Sequence, residues 1–286
     1  MDRPALALAL VVVVTLSGCA GFGSGGDGGA RTVNPALGET PTVSPTPTPE
    51  PDYPPGVAAD GVDVRALTTA HDRSLQRVNS TVRFERVVVA ENGTTLATRR
   101  SVTEEAGEQL GFLYTESGRL PGEEGPALDS FGFWTNGSVT ATRTVNGSGG
   151  VSYQIIPGEP PSVSNTDDSG EGLAFAAFVG TDLRLMGTTV EDGEMLYVLR
   201  TDHERLNRTG RRPLQNVSGV AHVTAEGVIR SYDLRYTATY GNGDDAVTAT
   251  TTDRFRVSVD DTMAAPPEWV EKAITNASAA DNDPTE

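Results

Sequence analysis

The chain of 286 residues has very few cysteine and histidine side chains. It contains one cysteine, Cys19, and three histidines, His71, His203 and His222. A single cysteine excludes internal disulfides and metal sites built from several cysteines, and the histidines show no spacing typical of a metal site. The sequence also lacks a nucleophile elbow, a phosphate-binding glycine loop and a dinucleotide fingerprint. We therefore expect no catalytic residues, no metal and no cofactor, and predict that the chain is not an enzyme.

Positive charge is scarce as well. The chain has 22 Lys and Arg residues against 39 Asp and Glu, a net charge of −17, and Lys272 is its single lysine. A surface of this sign repels the phosphates of nucleic acid and the head groups of anionic lipids, so we expect neither as a partner. An acidic composition with almost no lysine is typical of halophilic archaea, because concentrated salt screens the repulsion between carboxylates. A GC-rich genome would explain the preference for arginine but not the acidity.

The N-terminus carries the most informative motif. Residues 5–16 form a short apolar run, which is typical of a secretory signal and too short to cross a bilayer. The run ends in the sequence LSGC, residues 16–19, which resembles the lipobox of lipoproteins. That resemblance implies removal of a signal peptide, residues 1–18, lipid attachment at Cys19, and a protein anchored at the outer face of the cytoplasmic membrane. The alternatives are a plain secretory signal with an unmodified cysteine, or an uncleaved signal anchor.

Residues 19–56 have the composition of a stalk. Residues 20–30 are rich in glycine, and residues 31–56 are rich in proline and threonine. Dense proline favours extended polyproline II, and the segment has too few large apolar side chains to form a core. We expect a disordered, semi-rigid spacer that holds a folded domain away from the membrane. Its Thr and Ser residues are either O-glycosylated or unmodified.

Residues 57–276 are predicted to form a single antiparallel β domain, followed by a disordered acidic tail over residues 277–286. A first helix is expected near residues 63–78, where Asp63 can cap the N-terminus and apolar residues recur every three or four positions. Beyond this helix, apolar and polar residues alternate, which is typical of strands with one buried face. The strand signals lie at 82–90, 94–103, 108–116, 130–134, 138–145, 151–156, 194–200 and 217–224, followed by a hairpin of 228–240 and 247–257.

One segment breaks this alternation. Residues 173–186 are apolar on nearly every side, so a helix predicted near residues 171–186 must be buried, and the apolar face of the sheet is the available partner. The predicted fold class is α+β and mostly β, with a curved antiparallel sheet, or incomplete β-barrel, wrapped around one or two helices. The candidate residues for lining an apolar cavity between helix and sheet are Phe175, Phe178, Leu183 and Met186.

Sequences for N-linked glycosylation are more frequent than chance predicts. Seven of the eleven asparagines lie in Asn-x-Ser/Thr sequences, where composition alone predicts about two. Three of the seven are followed by glycine, and Asn-Gly also forms hairpin turns that need no sugar. Both interpretations stay open for the candidate sites, which are Asn79, Asn92, Asn136, Asn146, Asn207, Asn216 and Asn276.

These features together resemble a family of haloarchaeal cell-surface lipoproteins. The resemblance rests on the lipobox at Cys19, the Thr/Pro stalk that ends at residues 53–57, the C-terminal hairpin that opens at residues 227–230, and the sequence PPEW at residues 266–269. It implies a membrane-anchored extracytoplasmic protein and specifies no reaction. The predicted architecture is also similar to that of LolA-like lipoprotein carriers, in which helices cover the concave face of an incomplete barrel.

Two functions are compatible with this architecture. The first is the binding of a lipid or another apolar ligand between sheet and helices, with residues 173–186 as a movable lid. The second is a structural or interaction protein of the cell envelope that binds no ligand. A continuous apolar cavity between helix and sheet would favour the first function, whereas close packing would favour the second.

Overall fold

The computed structural model describes residues 52–125, 127–157, 169–207, 212–259 and 265–281. These residues belong to one compact unit. The predicted signal peptide, the lipid attachment site at Cys19 and the stalk up to residue 51 lie outside the described residues, and the predictions for them stand as predictions.

Thirteen strands and three helices make up the described part of the chain. In chain order they are β1 Val57–Ala58, β2 Gly61–Val62, α1 Val64–Leu75, β3 Ser80–Ala90, β4 Thr95–Ala106, β5 Gln109–Gly118, β6 Leu128–Thr135, β7 Val139–Asn146, β8 Val151–Pro157, α2 Glu171–Phe178, β9 Arg184–Glu191, β10 Glu194–Leu206, β11 Leu214–Val223, β12 Ile229–Tyr240, β13 Val247–Val259 and α3 Glu268–Asp281.

Eleven of the strands form one curved antiparallel sheet that is not closed into a barrel. The strands β3 to β8 form one meander and β9 to β13 form a second, so that consecutive strands pair within each half. The two halves are joined where β3 pairs with β13, with Phe84 directly opposite Phe255. Strands β8 and β9 are left at the two edges. The predicted fold class is therefore confirmed.

The two faces of the sheet have different chemistry. We call the face that carries Val82, Tyr232 and Phe255 the inner face, because these side chains pack in the same core as residues of α1 and α2. The opposite, outer face carries exposed ion pairs across neighbouring strands, such as those of Glu85 with Arg100 and Arg254. This division follows from the alternation of side chains along each strand.

Helix α1 forms where the sequence predicts it. The Asp63 side chain accepts a hydrogen bond from the backbone N–H of Ala66 at 3.0 Å, as an N-cap should. Leu67, His71 and Leu75 recur at intervals of four and are all buried. This single stripe fixes α1 against the inner face of the sheet.

Helix α2 is shorter than predicted. It ends at Phe178, and the prediction of helix over residues 179–186 is wrong. Gly180 adopts φ +77°, a conformation that breaks the helix, and the chain then enters β9, which pairs with β10 along the sheet edge. An apolar run cannot by itself distinguish a buried helix from a buried strand, so this boundary was not readable from composition.

Helix α3 was not predicted. It packs on β7 and β8, and its Val270 and Ala273 form a small core with Trp134 and Ala141. The strand register places Trp134 on the outer face, so α3 lies on the side of the sheet opposite to α1 and α2. The helix continues to residue 281, which corrects the prediction of a disordered tail from residue 277.

The folded part also begins earlier than predicted. The hydroxyl of Tyr197 donates a hydrogen bond to the carbonyl oxygen of Asp52 at 2.8 Å, and Pro54 is buried. Residues 52–56 therefore pack on the domain, and the prediction that the disordered stalk extends to residue 56 is wrong for them. These residues join the fold because Tyr197 on β10 holds the backbone of Asp52 against the sheet.

Candidate functional site

A cavity of about 450 Å³ lies between the inner face of the sheet and α2. This volume falls within the range of small-molecule binding sites. Its walls come from five strands, β3, β4, β11, β12 and β13, from α2, and from the loop between β5 and β6. The lining residues are Phe84, Arg86, Arg99, Leu120, Pro121, Gly122, Glu123, Leu173, Ala176, Ala177, Arg212, Leu214, Tyr232, Leu234, Tyr236, Tyr240 and Asp253.

One wall of the cavity is apolar. Helix α2 contributes Leu173, Ala176 and Ala177, which share one side of the helix because they are three and four residues apart. Phe84 and Leu234 contribute further apolar surface from the strands. The small alanine side chains leave room next to the sheet where larger ones would fill it.

The floor of the cavity carries a buried ion pair. Arg86 on β3 stands directly opposite Asp253 on β13, and two N–H groups of Arg86 each donate to a carboxylate oxygen of Asp253 at 2.7 Å. The Asp253 side chain is 3% exposed and that of Arg86 34%. Although burial alone would lower the pKa of Arg86, the bonds from Asp253 raise it above its ordinary value. Arg86 therefore stays charged, and its charge is neutralised within the protein.

Arg99 is shared between two carboxylates. Its Nε donates to Glu116 at 2.9 Å on the neighbouring strand β5, and its Nη2 donates to Glu123 in the loop between β5 and β6. The second Glu123 oxygen accepts the backbone N–H of Leu120 at 3.0 Å. Burial opposes ionisation of Glu123, yet the bonds from Arg99 and Leu120 hold its pKa below the ordinary value. An ion pair thus fastens this loop to the cavity wall.

Residues 120–123 of the loop between β5 and β6 form one side of the cavity. Leu120 is buried in the main core, and Pro121 lies against the turn between β12 and β13. A side chain at Gly241 in that turn would come within 2.9 Å of Pro121, so glycine is needed for the close approach. The start of the loop is therefore positioned by contacts with the core and with this turn.

Arg212 and Tyr240 lie together in the cavity wall. The Arg212 guanidinium lies 4.6 Å from the centre of the Tyr240 ring and donates to the carbonyl oxygen of Thr239 at 2.7 Å. The Tyr240 hydroxyl lies 2.5 Å from that of Thr251, and burial raises the pKa of the neighbouring Tyr236. Within the described residues no carboxylate pairs with Arg212.

The four predicted cavity residues lie elsewhere. Phe178 and Leu183 are 1% and 2% exposed and belong to the closed core, while Phe175 is half-buried under the guanidinium of Arg65, 4.9 Å from its ring centre. Met186 is 64% exposed on β9, which corrects its prediction as a lining residue, because the chain has left the helix at that point. None of the four lines the cavity described above.

The charged floor was missed although the sequence holds a signal for it. Arg86 follows Val82 and Phe84 in the same alternation, so it occupies a position where the pattern calls for an inward side chain. Asp253 precedes Phe255 and Val257 in the same way. Charged residues at the buried phase of two neighbouring strands indicate a polar site inside the fold.

The candidate glycosylation sites lie at the surface. Asn79 is half-buried and the other six asparagines are exposed. The side-chain oxygens of Asn92, Asn136 and Asn146 each accept a backbone N–H two residues on, at 3.0, 3.1 and 3.2 Å, as turn-forming asparagines do. Glycosylation of the seven sites stays a prediction, because exposure and turn geometry fit both interpretations.

The three histidines do not come together. His71 is buried beside Ser169, His203 accepts the backbone N–H of Asp182 at 3.0 Å, and His222 pairs with Glu191. In the described ranges, no three His, Cys, Asp or Glu side chains are grouped as a metal site would require. No helix among the same residues has the length and apolar character needed to cross a membrane.

No protein-family model matches the chain, and a comparison with curated proteins finds no match. Among solved structures, the chain is similar to LprF from Mycobacterium bovis, with 11% identity, a TM-score of 0.35, and coverage of 72% of this chain and 96% of LprF. It is also similar to the lipoprotein LppX from Mycobacterium tuberculosis, with 10% identity, a TM-score of 0.33, and coverage of 71% and 98%.

A third similar structure is a candidate outer membrane lipoprotein-sorting domain from Vibrio parahaemolyticus, with 10% identity, a TM-score of 0.22, and coverage of 72% of this chain and 97% of that domain. The expected architecture was that of LolA-like carriers, and these structural neighbours include folds of that kind as well as the LppX and LprF folds. Likeness at this level carries no conclusion about function, so the function must be argued from the cavity itself.

Proposed function

We propose that the protein is a membrane-anchored extracytoplasmic lipoprotein that binds a lipid or another apolar ligand between its sheet and α2. It is anchored through a lipid on Cys19 at the outer face of the cytoplasmic membrane and carries out no chemical reaction. The observation that supports binding is the cavity of about 450 Å³ with its apolar wall on α2. A core that only stabilised the fold would be filled by side chains to high density.

The alternative, a structural or interaction protein of the cell envelope, is supported by a different observation. The side chains of Phe178 and Leu183 are buried in the core, and Phe178 packs edge-on against Tyr232 with ring centres 5.2 Å apart. The C-terminal end of α2 and the segment after it therefore behave as ordinary core. The two functions therefore differ in whether the side of α2 that carries Leu173 and Ala176 binds a ligand or serves only in packing.

Native mass spectrometry of the full-length lipoprotein, purified from the cells that make it, tests the binding function. We expect an apolar molecule bound non-covalently, in addition to the lipid on Cys19. The variant Ala176→Phe places a large side chain in the cavity from a half-buried position and should lose the bound molecule. The matched control Ala59→Phe, at an exposed position, should keep it. A wild-type protein without a bound molecule would favour the structural function, and equal retention in both variants would show that the molecule does not bind in this cavity.

The anchor is tested separately. The variant Cys19→Ser should lose the covalent lipid and accumulate either in the medium or as an uncleaved precursor, because serine offers no thiol for lipid attachment. Membrane fractionation with mass measurement of the N-terminus distinguishes these outcomes. A Cys19→Ser protein that loses residues 1–18 and still stays on the membrane would show that the anchor lies elsewhere.

A further inference from the structure

The polar side chains of the cavity indicate which class of ligand it binds. This inference rests on the proposed function. Three arginines line the cavity, but they differ in what satisfies their charge. Arg86 is held by the buried carboxylate of Asp253 through two parallel bonds of 2.7 Å, which neutralise its charge within the protein. The inference about a ligand anion therefore concerns Arg99 and Arg212.

Arg212 has capacity left for an anion. Within the described residues, its guanidinium makes one hydrogen bond, to the carbonyl oxygen of Thr239, and a stacking contact with Tyr240. A guanidinium carries five N–H donors, so several donors of Arg212 remain for a ligand at the cavity wall. The net charge of −17 opposes anions over the surface as a whole. Arg212, in contrast, is a cation in the cavity wall that has no carboxylate partner within the described residues.

Arg99 already holds an anion that could be exchanged. Glu116 reaches it from the adjacent strand, whereas Glu123 reaches it from a loop and has a side chain 31% exposed. A carboxylate or phosphate from a ligand would make the same charge-assisted bonds to Arg99 that Glu123 makes. Glu123 therefore occupies the place that the head group of an amphiphile would take.

We propose that the ligand is an amphiphile with an anionic head group, which is held by Arg212 and replaces Glu123 on Arg99 while the apolar chain lies along Leu173 and Ala176. An acid at the end of an apolar chain fits a cavity with one apolar wall and one arginine-bearing wall. The ligand class is thus a fatty acid or a lipid with a carboxylate or phosphate.

The test compares two probes with the same apolar chain, a fatty acid and the corresponding fatty alcohol, and uses acetate as an anion without a chain. Binding to the full chain, delipidated of non-covalent ligand, is followed by displacement of a fluorescent apolar probe. We expect the fatty acid to bind about tenfold more tightly than the alcohol, since a charge-assisted hydrogen bond has that effect on affinity. Acetate alone should not displace the probe.

Three variants locate the effect. Arg212→Gln should weaken binding of the fatty acid by about five- to tenfold and leave the alcohol unchanged, and Glu123→Gln should strengthen binding of the acid. The control Arg235→Gln removes an exposed arginine on the outer face and should change neither. Equal binding of acid and alcohol, or an equal loss of both in Arg212→Gln, would overturn the head-group inference alone. Failure of both probes to bind would contradict the proposed function itself.

Discussion

His71 on α1 donates a hydrogen bond from Nε2 to the carbonyl oxygen of Ser169, at 2.8 Å, across a separation of 98 residues in sequence. Its other nitrogen, Nδ1, accepts the backbone N–H of Ile229 at 3.1 Å. The ring must be neutral to accept at Nδ1 while donating at Nε2. One imidazole thereby ties α1 to the start of β12 and to the segment that leads into α2.

Stability should fall between neutral and mildly acidic pH because of this histidine. Burial is the main cause that lowers the pKa of His71 from 6.5 to about 4. Between these values the unfolded chain binds the proton and the folded one does not, so the contribution is complete above pH 6.5 and is lost as the pH falls towards 4. The loss amounts to about 3 kcal/mol.

Urea unfolding at pH 7 and pH 5 checks this prediction. The variant His71→Gln should be less stable at pH 7, and its stability should change less between the two pH values than that of the wild type. His222→Gln, which alters a histidine paired with Glu191 near the surface, serves as the control and should keep the wild-type difference. An unchanged pH dependence in His71→Gln would show that other groups cause it.

Removing Asp253 should destabilise the fold more than removing the whole ion pair. Asp253→Ala leaves the charge of Arg86 without its partner in a largely buried place and should reduce the free energy of unfolding by about 3 kcal/mol. In the double variant Arg86→Leu with Asp253→Ala no unpaired charge remains, so part of this loss should be recovered. Urea unfolding of the single variants and of the double variant measures the coupling energy between Arg86 and Asp253. Losses in the free energy of unfolding that simply add would contradict an interaction between these two side chains.

Phe178 should behave as a core residue and not as a cavity residue. Because its side chain is 1% exposed, Phe178→Ala leaves a void and should lower the free energy of unfolding by about 3–5 kcal/mol. Met186→Ala, at a 64% exposed position, is the matched control and should have an effect within about 0.5 kcal/mol. A small loss in the free energy of unfolding of Phe178→Ala, together with a change in bound ligand, would show that Phe178 belongs to the binding site.

The folded domain should depend on salt. Raising the salt concentration from 0.1 M to 1 M shortens the screening length from about 10 Å to about 3 Å. The repulsion among the charges of a chain with a net charge of −17 then weakens. Thermal melts in KCl should therefore show a Tm that rises over this range. A Tm independent of KCl would remove the argument for a halophilic origin.

The sheet was largely predictable because its local signals agree with one another. The alternation through Tyr232, Leu234 and Tyr236 identifies the inner face of β12, and the Asn-Gly turns at residues 92, 136 and 146 mark hairpins that the structure contains. In such hairpins, period and turn are both encoded in a few adjacent residues. The order of the strands within each meander follows from these short connections.

Three features of the structure depended on distant contacts and were not predicted. Strand β9 was taken for the end of a helix, because only its pairing with β10 makes residues 184–191 extended. Helix α3 owes its place to Trp134 and Ala141, which lie more than a hundred residues earlier. The polar floor of the cavity combines Arg86 with Asp253. Each residue shows the inward phase of its own strand, but no local pattern shows that the two strands pair across 167 residues.

The pairing of β3 with β13 also determines when the cavity can exist during synthesis of the chain. Strands β3 to β8 can pair with one another as soon as residue 157 is available, since each follows its partner in sequence. The cavity, in contrast, needs Phe84 and Arg86 from the first strand of the sheet and Asp253 from the last. An incomplete chain therefore has no cavity, and binding of the proposed ligand must follow completion of the chain.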